Sequence, residues 1–256
     1  MSAAKKTAAD AVAGKNRRLQ QESFDRAAAG YRQHAGVQVA MADWLAEWLP
    51  QSREGRALEL GAGPGIFTRR LLPWTGRLTV TDASAAMCAT GRAELPGLDW
   101  QKTEAVAPLA GPWDWIFSSS MLQWAEDPAA IFSAWRDRLA PRGRVLVGLF
   151  AAPSLPELAA LMQGQSPLVW RSPKAWRAAL EQSGLNLVRD GAETRVVHHP
   201  SARVFLSTLH GVGAAPERRL TIAALRRLLR DYEDRHRETQ GVRATWTFYR
   251  FEAVRQ

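Results

Sequence analysis

The chemistry this chain can do starts at a glycine loop. Glu59-Leu60-Gly61-Ala62-Gly63-Pro64-Gly65 lies between a strand-like and a helix-like stretch. Glycines let the backbone approach a ligand closely, and the first turn of a helix offers unpaired N–H groups. A dinucleotide fingerprint needs glycine at position 66, where Ile66 stands. The Gly-Lys-Ser/Thr of a phosphate loop is also absent. What remains is acid-x-G-x-G-x-G. Asp82 closes the next strand, 21 residues after Gly61. A carboxylate at that place can grip two ribose hydroxyls.

Other groups carry weaker signals. Residues 24–35, Phe-Asp-Arg-Ala-Ala-Ala-Gly-Tyr-Arg-Gln-His-Ala, are mostly small and polar, with one Tyr and one His. They read as a lid. His34 reads as a surface or helix-cap residue before a catalytic one. Cys88 has no basic neighbour before Arg92, which argues against an activated thiol. His198-His199 has no acid or cysteine at ligand spacing, so it reads as strand or loop and not as a metal site.

The elements that must position these residues follow from periodicity and punctuation. Residues 15–32 read as a polar helix or hinge. Residues 34–49 form a better helix, with Val37, Met41, Trp44, Leu45 and Trp48 on one face and Pro50 as its stop. Strands are predicted at 56–60, 78–82, 98–100, 113–118 and 144–150. Helices at 66–72, at 85–94 with Ser84 as N-cap, and at 128–139 alternate with them. This rhythm argues a parallel, doubly wound sheet. Beyond 150 the rhythm changes. Helices are predicted near 155–163, at 173–183 with Gly184 as stop, at 201–209 and at 221–237. Residues 185–188 and 244–251 read as strands. On the helix after Thr221, Leu225, Leu228, Leu229 and Tyr232 form the inward stripe. Trp44, Trp48, Trp135 and Trp176 fall on apolar helix faces and read as core.

Composition narrows the class. The chain has 256 residues, 46% hydrophobic and 23% charged, which suits one folded domain and excludes a disordered chain. A single cysteine excludes a disulfide framework and a multi-cysteine zinc site. The longest apolar runs fall far short of the ~20 residues of a membrane span. Residues 1–7 are basic but lack an apolar stretch behind them, so no secretory signal is expected and the cytoplasm is the default location. Residues 1–15 are expected to be a mobile tail. The net charge of +9, from 34 Lys+Arg against 25 Asp+Glu, favours acidic partners.

The acid-x-G-x-G-x-G loop resembles that of the class I S-adenosylmethionine-dependent methyltransferases. That resemblance implies an α/β Rossmann-like fold: a doubly wound, mostly parallel seven-stranded sheet, its last strand antiparallel, with a helical lid. It implies S-adenosylmethionine as cofactor. Glu59 and the backbone of Gly61, Gly63 and Gly65 would face its methionine part. Asp82 would take the ribose. Thr103 and Glu104 stand where the adenine acid lies after strand three, and Ser118 at the end of strand four completes the set. The chain would divide into lid helices over 16–50, a cofactor-binding half over 56–150 and a substrate-covering part over 151–256.

Further stretches resemble the malonyl-acyl-carrier-protein O-methyltransferases of biotin synthesis, the BioC family. They are residues 24–35 with Gln38, residues 117–124 (Phe-Ser-Ser-Ser-Met-Leu-Gln-Trp), residues 209–214 (Leu-His-Gly-Val-Gly-Ala) and Ala244-Thr245-Trp246. Leu168-Val169-Trp170 stands where the family carries an Asn-Arg pair, with Arg171 displaced. The resemblance implies methyl transfer to the free carboxylate of a malonyl thioester, on acyl-carrier protein or CoA. Tyr31 would act as lid and orienting hydroxyl, and Gln123 and Trp124 as the wall after strand four. An acidic carrier would dock on Arg226, Arg227 and Arg230, with Arg218 and Arg219. No metal or membrane is implied. Nucleic acid is disfavoured, because Ser118-Ser119-Ser120-Met121 replaces the Asn-Pro-Pro-aromatic motif of base-amine methylation. Two rival readings share the fold: a methyltransferase of another small, lipid-like acceptor, and an inactive cofactor-binding interaction protein.

Overall fold

The computed structural model describes residues 19–74, 76–162, 170–214 and 220–256. The expected tail at 1–15, Leu168-Val169 and Arg218-Arg219 lie outside them. The chain is helical over residues 19–27 (α1). Then come α2 (Tyr31–His34), α3 (Gly36–Ala46), β1 (Arg56–Leu60), α4 (Thr68–Leu71), β2 (Arg77–Asp82), α5 (Ala85–Glu94), β3 (Asp99–Lys102) and β4 (Trp113–Ser119). A 3-10 turn (Leu122–Trp124), α6 (Pro128–Arg138), β5 (Leu139–Ala151), α7 (Pro156–Leu161) and α8 (Pro173–Ser183) follow. The rest is β6 (Leu185–His199), α9 (Ala202–Gly211), α10 (Ile222–His236), β7 (Arg237–Glu238) and β8 (Gly241–Arg255).

The strands lie in the order β3-β2-β1-β4-β5-β8-β6, with the short β7 beside β8. Strands β1 to β5 pair in parallel, and β8 runs antiparallel to both β5 and β6. This is the doubly wound sheet with an antiparallel last strand that the resemblance implied, with the short β7 as an eighth strand. Alternate residues feed two cores. Phe117, Leu146, Phe150, Trp246 and Phe248 face α3, α9 and α10. Ile116, Val145, Val147, Leu149, Tyr249 and Phe251 face α6 and α8. With both faces covered, the strands read as near-continuous apolar runs.

Side-chain caps fix several helix starts. Ser84, Asp127, Ser172, Ser201 and Thr221 each accept a backbone N–H from the first turn. Several predicted bounds move. The 15–32 helix breaks at residues 28–30, around Gly30, into α1 and α2. The 66–72 helix shrinks to Thr68–Leu71, because the turn of the glycine loop takes residues 63–67. The strand expected at 185–188 runs on to His199, since β8 offers pairing along that whole length. His198 in that strand does have an acidic partner: its Nε2 lies 2.7 Å from Glu238 Oε2. On α10, Leu228 and Tyr232 are buried but Leu225 is not.

Trp44, Trp135 and Trp176 are buried, as expected of core residues. Trp48 is half-buried and carries the guanidiniums of Arg189 and Arg250 at 4.4 and 4.3 Å from its ring. Arg250 also covers Trp44 at 4.0 Å, and Arg56 covers Trp113 at 4.5 Å. Part of the arginine surplus therefore stacks on tryptophan within the fold.

Candidate active site

The carboxyl ends of β1, β2 and β4 bring the predicted ligand residues together. Glu59, one residue before the end of β1, is 1% exposed. Its Oε2 accepts a hydrogen bond from Thr68 Oγ1 at 2.6 Å, and its Oε1 has no partner. Burial, with Asp82 nearby, pushes the Glu59 carboxyl up to about 8. Asp82 Oδ2 accepts the Gly63 N–H at 2.8 Å, and Oδ1 accepts the Ser84 N–H at 2.8 Å. The Asp82 side chain thus ties the glycine loop to the start of α5. Burial raises its carboxyl too, against the pull of those N–H groups.

The loop glycines differ in what surrounds them. Gly61, Gly63 and Gly65 all have positive φ, at 70°, 56° and 88°. A Cβ on Gly61 would fall inside the Met121 side chain, and one on Gly65 would meet Leu95 and Trp100. A Cβ on Gly63 would meet nothing within 4 Å. Open space over Gly63 and the unpartnered buried oxygen of Glu59 are the two features that a bound amino-acid cofactor would fill. The ammonium of S-adenosylmethionine would supply a donor for Glu59 Oε1, and its ribose would offer hydroxyls to Asp82. The residues fit the group.

The other predicted cofactor residues are less direct. Ser118 is fully buried, and its hydroxyl donates to the Leu60 carbonyl at 2.9 Å. It braces β4 against β1 beneath the loop. Thr103 donates a backbone N–H to Asp82 O at 3.0 Å and its hydroxyl to Ala107 O at 3.1 Å. Glu104 is exposed. Cys88 is buried, with its thiol raised chiefly by burial, which suits an unactivated side chain.

The N-terminal segment closes over this end of the sheet. Gln21 Nε2 donates to Ala83 O at 2.6 Å, and Ser84 Oγ donates to Asp25. Glu94 accepts from Arg32 and, at 2.7 Å, from Arg69. Phe24 meets Trp124 edge to face at 5.8 Å, and Ser23 Oγ donates to Gly213 O at 3.3 Å. A Cβ on Gly213 would lie 2.8 Å from the Phe24 ring, and one on Gly211 would strike the His34 ring. The sequence segments 24–35 and 209–214 therefore meet, and His34 is a packing residue there. Tyr31 is half-buried near Asp82, and burial and that carboxylate raise its hydroxyl.

After β4, Ser120 adopts φ 57° and Gln123 Nε2 donates to Ser120 O at 2.6 Å. Gln123 Oε1 and Ser120 Oγ are buried without partners. The sequence marks Ser120 only as part of the 117–124 stretch and not as a site residue; its left-handed backbone in a Ser-Ser-Ser run leaves no composition signal. Arg226, Arg227 and Arg230 lie apart from these groups, on the exposed face of α10. A cavity of about 500 Å³ lined by Arg56, Trp74, Arg77 and Asp99 opens at the opposite, amino-terminal end of β1 to β3.

A mostly parallel sheet, an acid-led glycine loop and an acid ending the second strand define a class I S-adenosylmethionine-dependent methyltransferase, with S-adenosylmethionine as its cofactor. Residues 31–190 match a family described as a methyltransferase domain. The chain belongs to that family, and it is related to the malonyl-[acyl-carrier protein] O-methyltransferases. The enzyme of that name from Alcanivorax borkumensis is 30% identical, over 91% of this chain and 84% of its own. The biotin biosynthesis bifunctional protein BioCD of Bordetella avium is 32% identical over 88% of this chain, which spans only 50% of that longer protein. Among solved structures, the YcgJ protein of a Bacillus shares the fold at TM-score 0.64 and 15% identity, covering 85% of this chain and 98% of that one. Among the described residues, no helix is long and apolar enough to cross a membrane.

If Glu59 faces the cofactor's ammonium, its raised carboxyl would make cofactor binding pH-dependent. A carboxyl raised in the fold favours the folded protein fully below its unfolded pKa of 4.5 and loses that contribution as pH climbs through about 8. Pairing with an ammonium needs the ionised form, so binding near neutral pH releases a proton. S-adenosylmethionine affinity is expected to rise from pH 6 to 8, by up to about tenfold per pH unit. Calorimetry in buffers of different ionisation enthalpy reads that proton. Glu59→Gln should flatten the dependence. A flat profile in the unsubstituted protein would remove Glu59 from the cofactor site.

Proposed function

We propose that the acceptor is the free carboxylate of a malonyl thioester, carried on acyl-carrier protein or CoA, and that the product is its methyl ester, a primer for chain elongation toward pimelate. The observation that best supports this is the contact between residues 24–35 and 209–214, the stretches most specific to the malonyl-thioester enzymes. They meet at Gly211 and Gly213, over the end of the sheet where the loop lies.

When bound, the cofactor supplies a sulfonium methyl to an incoming nucleophile. A malonyl carboxylate is already ionised at pH 7, so the chain need not supply a base. The raised Tyr31 hydroxyl stays protonated, so it orients an oxygen by donating a hydrogen bond and abstracts nothing. Trp124 and Phe24 wall the mouth and exclude water. Opposite charges neutralise in the transition state, and a dry site favours that step. Gln123 Oε1, buried and unpartnered, accepts a donor from the thioester arm.

The test is direct. Protein, methyl-labelled S-adenosylmethionine and either malonyl-carrier protein or malonyl-CoA should yield a base-labile malonyl methyl ester by mass spectrometry. Cofactor binding without ester would move the acceptor to another small molecule.

A further inference from the structure

Strands β1, β2 and β3 each begin with a charged residue: Arg56, Arg77 and Asp99. Arg56 is the direct partner of Arg77 in the parallel pairing, and Asp99 is the partner of Thr79. Partners across a parallel pair point to one face of the sheet, and so do residues two apart on a strand. Arg56, Arg77 and Asp99 therefore share a face. All three line the cavity of about 500 Å³ at the amino-terminal end of these strands. Like charges set side by side on neighbouring strands repel. Arg56 donates to the Pro112 carbonyl at 3.2 Å and covers the Trp113 ring, but among the described residues neither guanidinium shows an ion pair. Arg77 and Asp99 are both exposed.

The lining fixes the chemistry of an occupant. A phosphate offers several oxygens to two guanidinium forks, and its charge offsets the repulsion between them. Asp99 accepts Thr79 Oγ1 at 3.2 Å and Gln101 Nε2 at 2.8 Å, both on Oδ2. Its other oxygen is open to a hydroxyl donor. Asp99 lies one strand over and two residues along from Arg77, about 8 Å between Cα atoms at the usual strand spacing and rise. That span suits one pentose phosphate, with its phosphate at one end and its ring hydroxyls at the other. Leu72 and Leu98 add apolar lining, and a Cβ on Gly97 would meet nothing within 4 Å. A cavity of this volume takes a small molecule. We propose that it binds a phosphorylated pentose, free or within a nucleotide, with the phosphate on Arg56 and Arg77 and a ring hydroxyl on Asp99. The site is separate from the cofactor end, because Arg56 and Arg77 open the strands whose far ends carry Glu59 and Asp82.

Calorimetric titration with ribose phosphate, uridine monophosphate, uridine and inorganic phosphate tests the cavity. S-adenosylhomocysteine is kept in excess, so that the cofactor end is filled. Ribose phosphate or uridine monophosphate should bind at least about tenfold more tightly than uridine or inorganic phosphate. The tighter of the two names the source, a free sugar phosphate or a nucleotide. Arg77→Gln should weaken that binding by about tenfold or more. Asp99→Asn should weaken it too, without weakening inorganic phosphate. Both side chains are exposed, so the fold should persist and affinity for S-adenosylmethionine should stay within about twofold. Absence of binding by either pentose phosphate overturns the proposal. So does inorganic phosphate that binds as tightly as they do, or an Arg77→Gln variant that binds like the parent. A parallel loss of cofactor affinity in both variants would assign the effect to the sheet and overturn it as well.

Discussion

Asp82→Ala is expected to weaken S-adenosylmethionine binding by at least about 100-fold. Two hydrogen bonds from ribose hydroxyls to a carboxylate each contribute about 1.5–3 kcal/mol. Their joint loss is then worth roughly 10² to 10⁴ in Kd. The substitution also frees the N–H groups of Gly63 and Ser84, which Asp82 now holds at 2.8 Å. The loop loses its tether to α5 at the same stroke. Asp82→Asn keeps one acceptor oxygen but turns an amide NH2 toward the other N–H. It should fall between the parent and alanine. Calorimetric titration reads the affinities, and circular dichroism confirms that the fold persists. An alanine variant that binds the cofactor as tightly as the parent would displace Asp82 from the ribose.

The second large effect separates two glycines four residues or less from Glu59. Gly61→Val puts a β-branched side chain at φ 70° and drives its Cβ into Met121. Strain of this kind costs about 1–3 kcal/mol before the clash is counted. A loss near 3 kcal/mol lowers Tm by roughly 6–12 °C in a chain of this size. Cofactor binding should vanish with it. Gly63→Ala meets nothing within 4 Å, so its Tm should fall by only a few degrees. Its Cβ would nonetheless stand in the open space above the loop, and cofactor binding should be lost while the fold remains. Retained binding in Gly63→Ala would move the cofactor off the loop.

The sequence made the cofactor end legible because its signals are local. An acid, three glycines and an acid 21 residues after Gly61 are fixed by covalent spacing, and the strands between them follow from apolar runs. Glu59, Asp82 and the loop meet as the spacing implied. What pattern missed depends on contacts across the chain. Nothing local says that Phe24 rests on Gly213, or that His34 fills the space beside Gly211. The length of β6 was hidden because Arg189-Asp190-Gly191-Ala192-Glu193, beyond the strand expected at 185–188, has little strand character of its own; fifteen residues of β8 impose it. Leu225 sits at the right helical spacing for burial, yet it stays 40% exposed. The Glu238 partner of His198 is forty residues away and joins it only because β7 folds beside β8.

Strand β8 lies between two strands that are made before it. During synthesis β5 and β6 must wait with open edges until residues 241–255 have left the ribosome. At the usual pace of roughly 5–20 residues per second, the delay after β5 is about 5–20 seconds. For that time the Val145–Phe150 stretch, buried on both faces in the finished sheet, has no neighbour on one side. It is the segment a nascent-chain chaperone would hold. Strand β6 joins the five parallel strands only when β8 slides in between them.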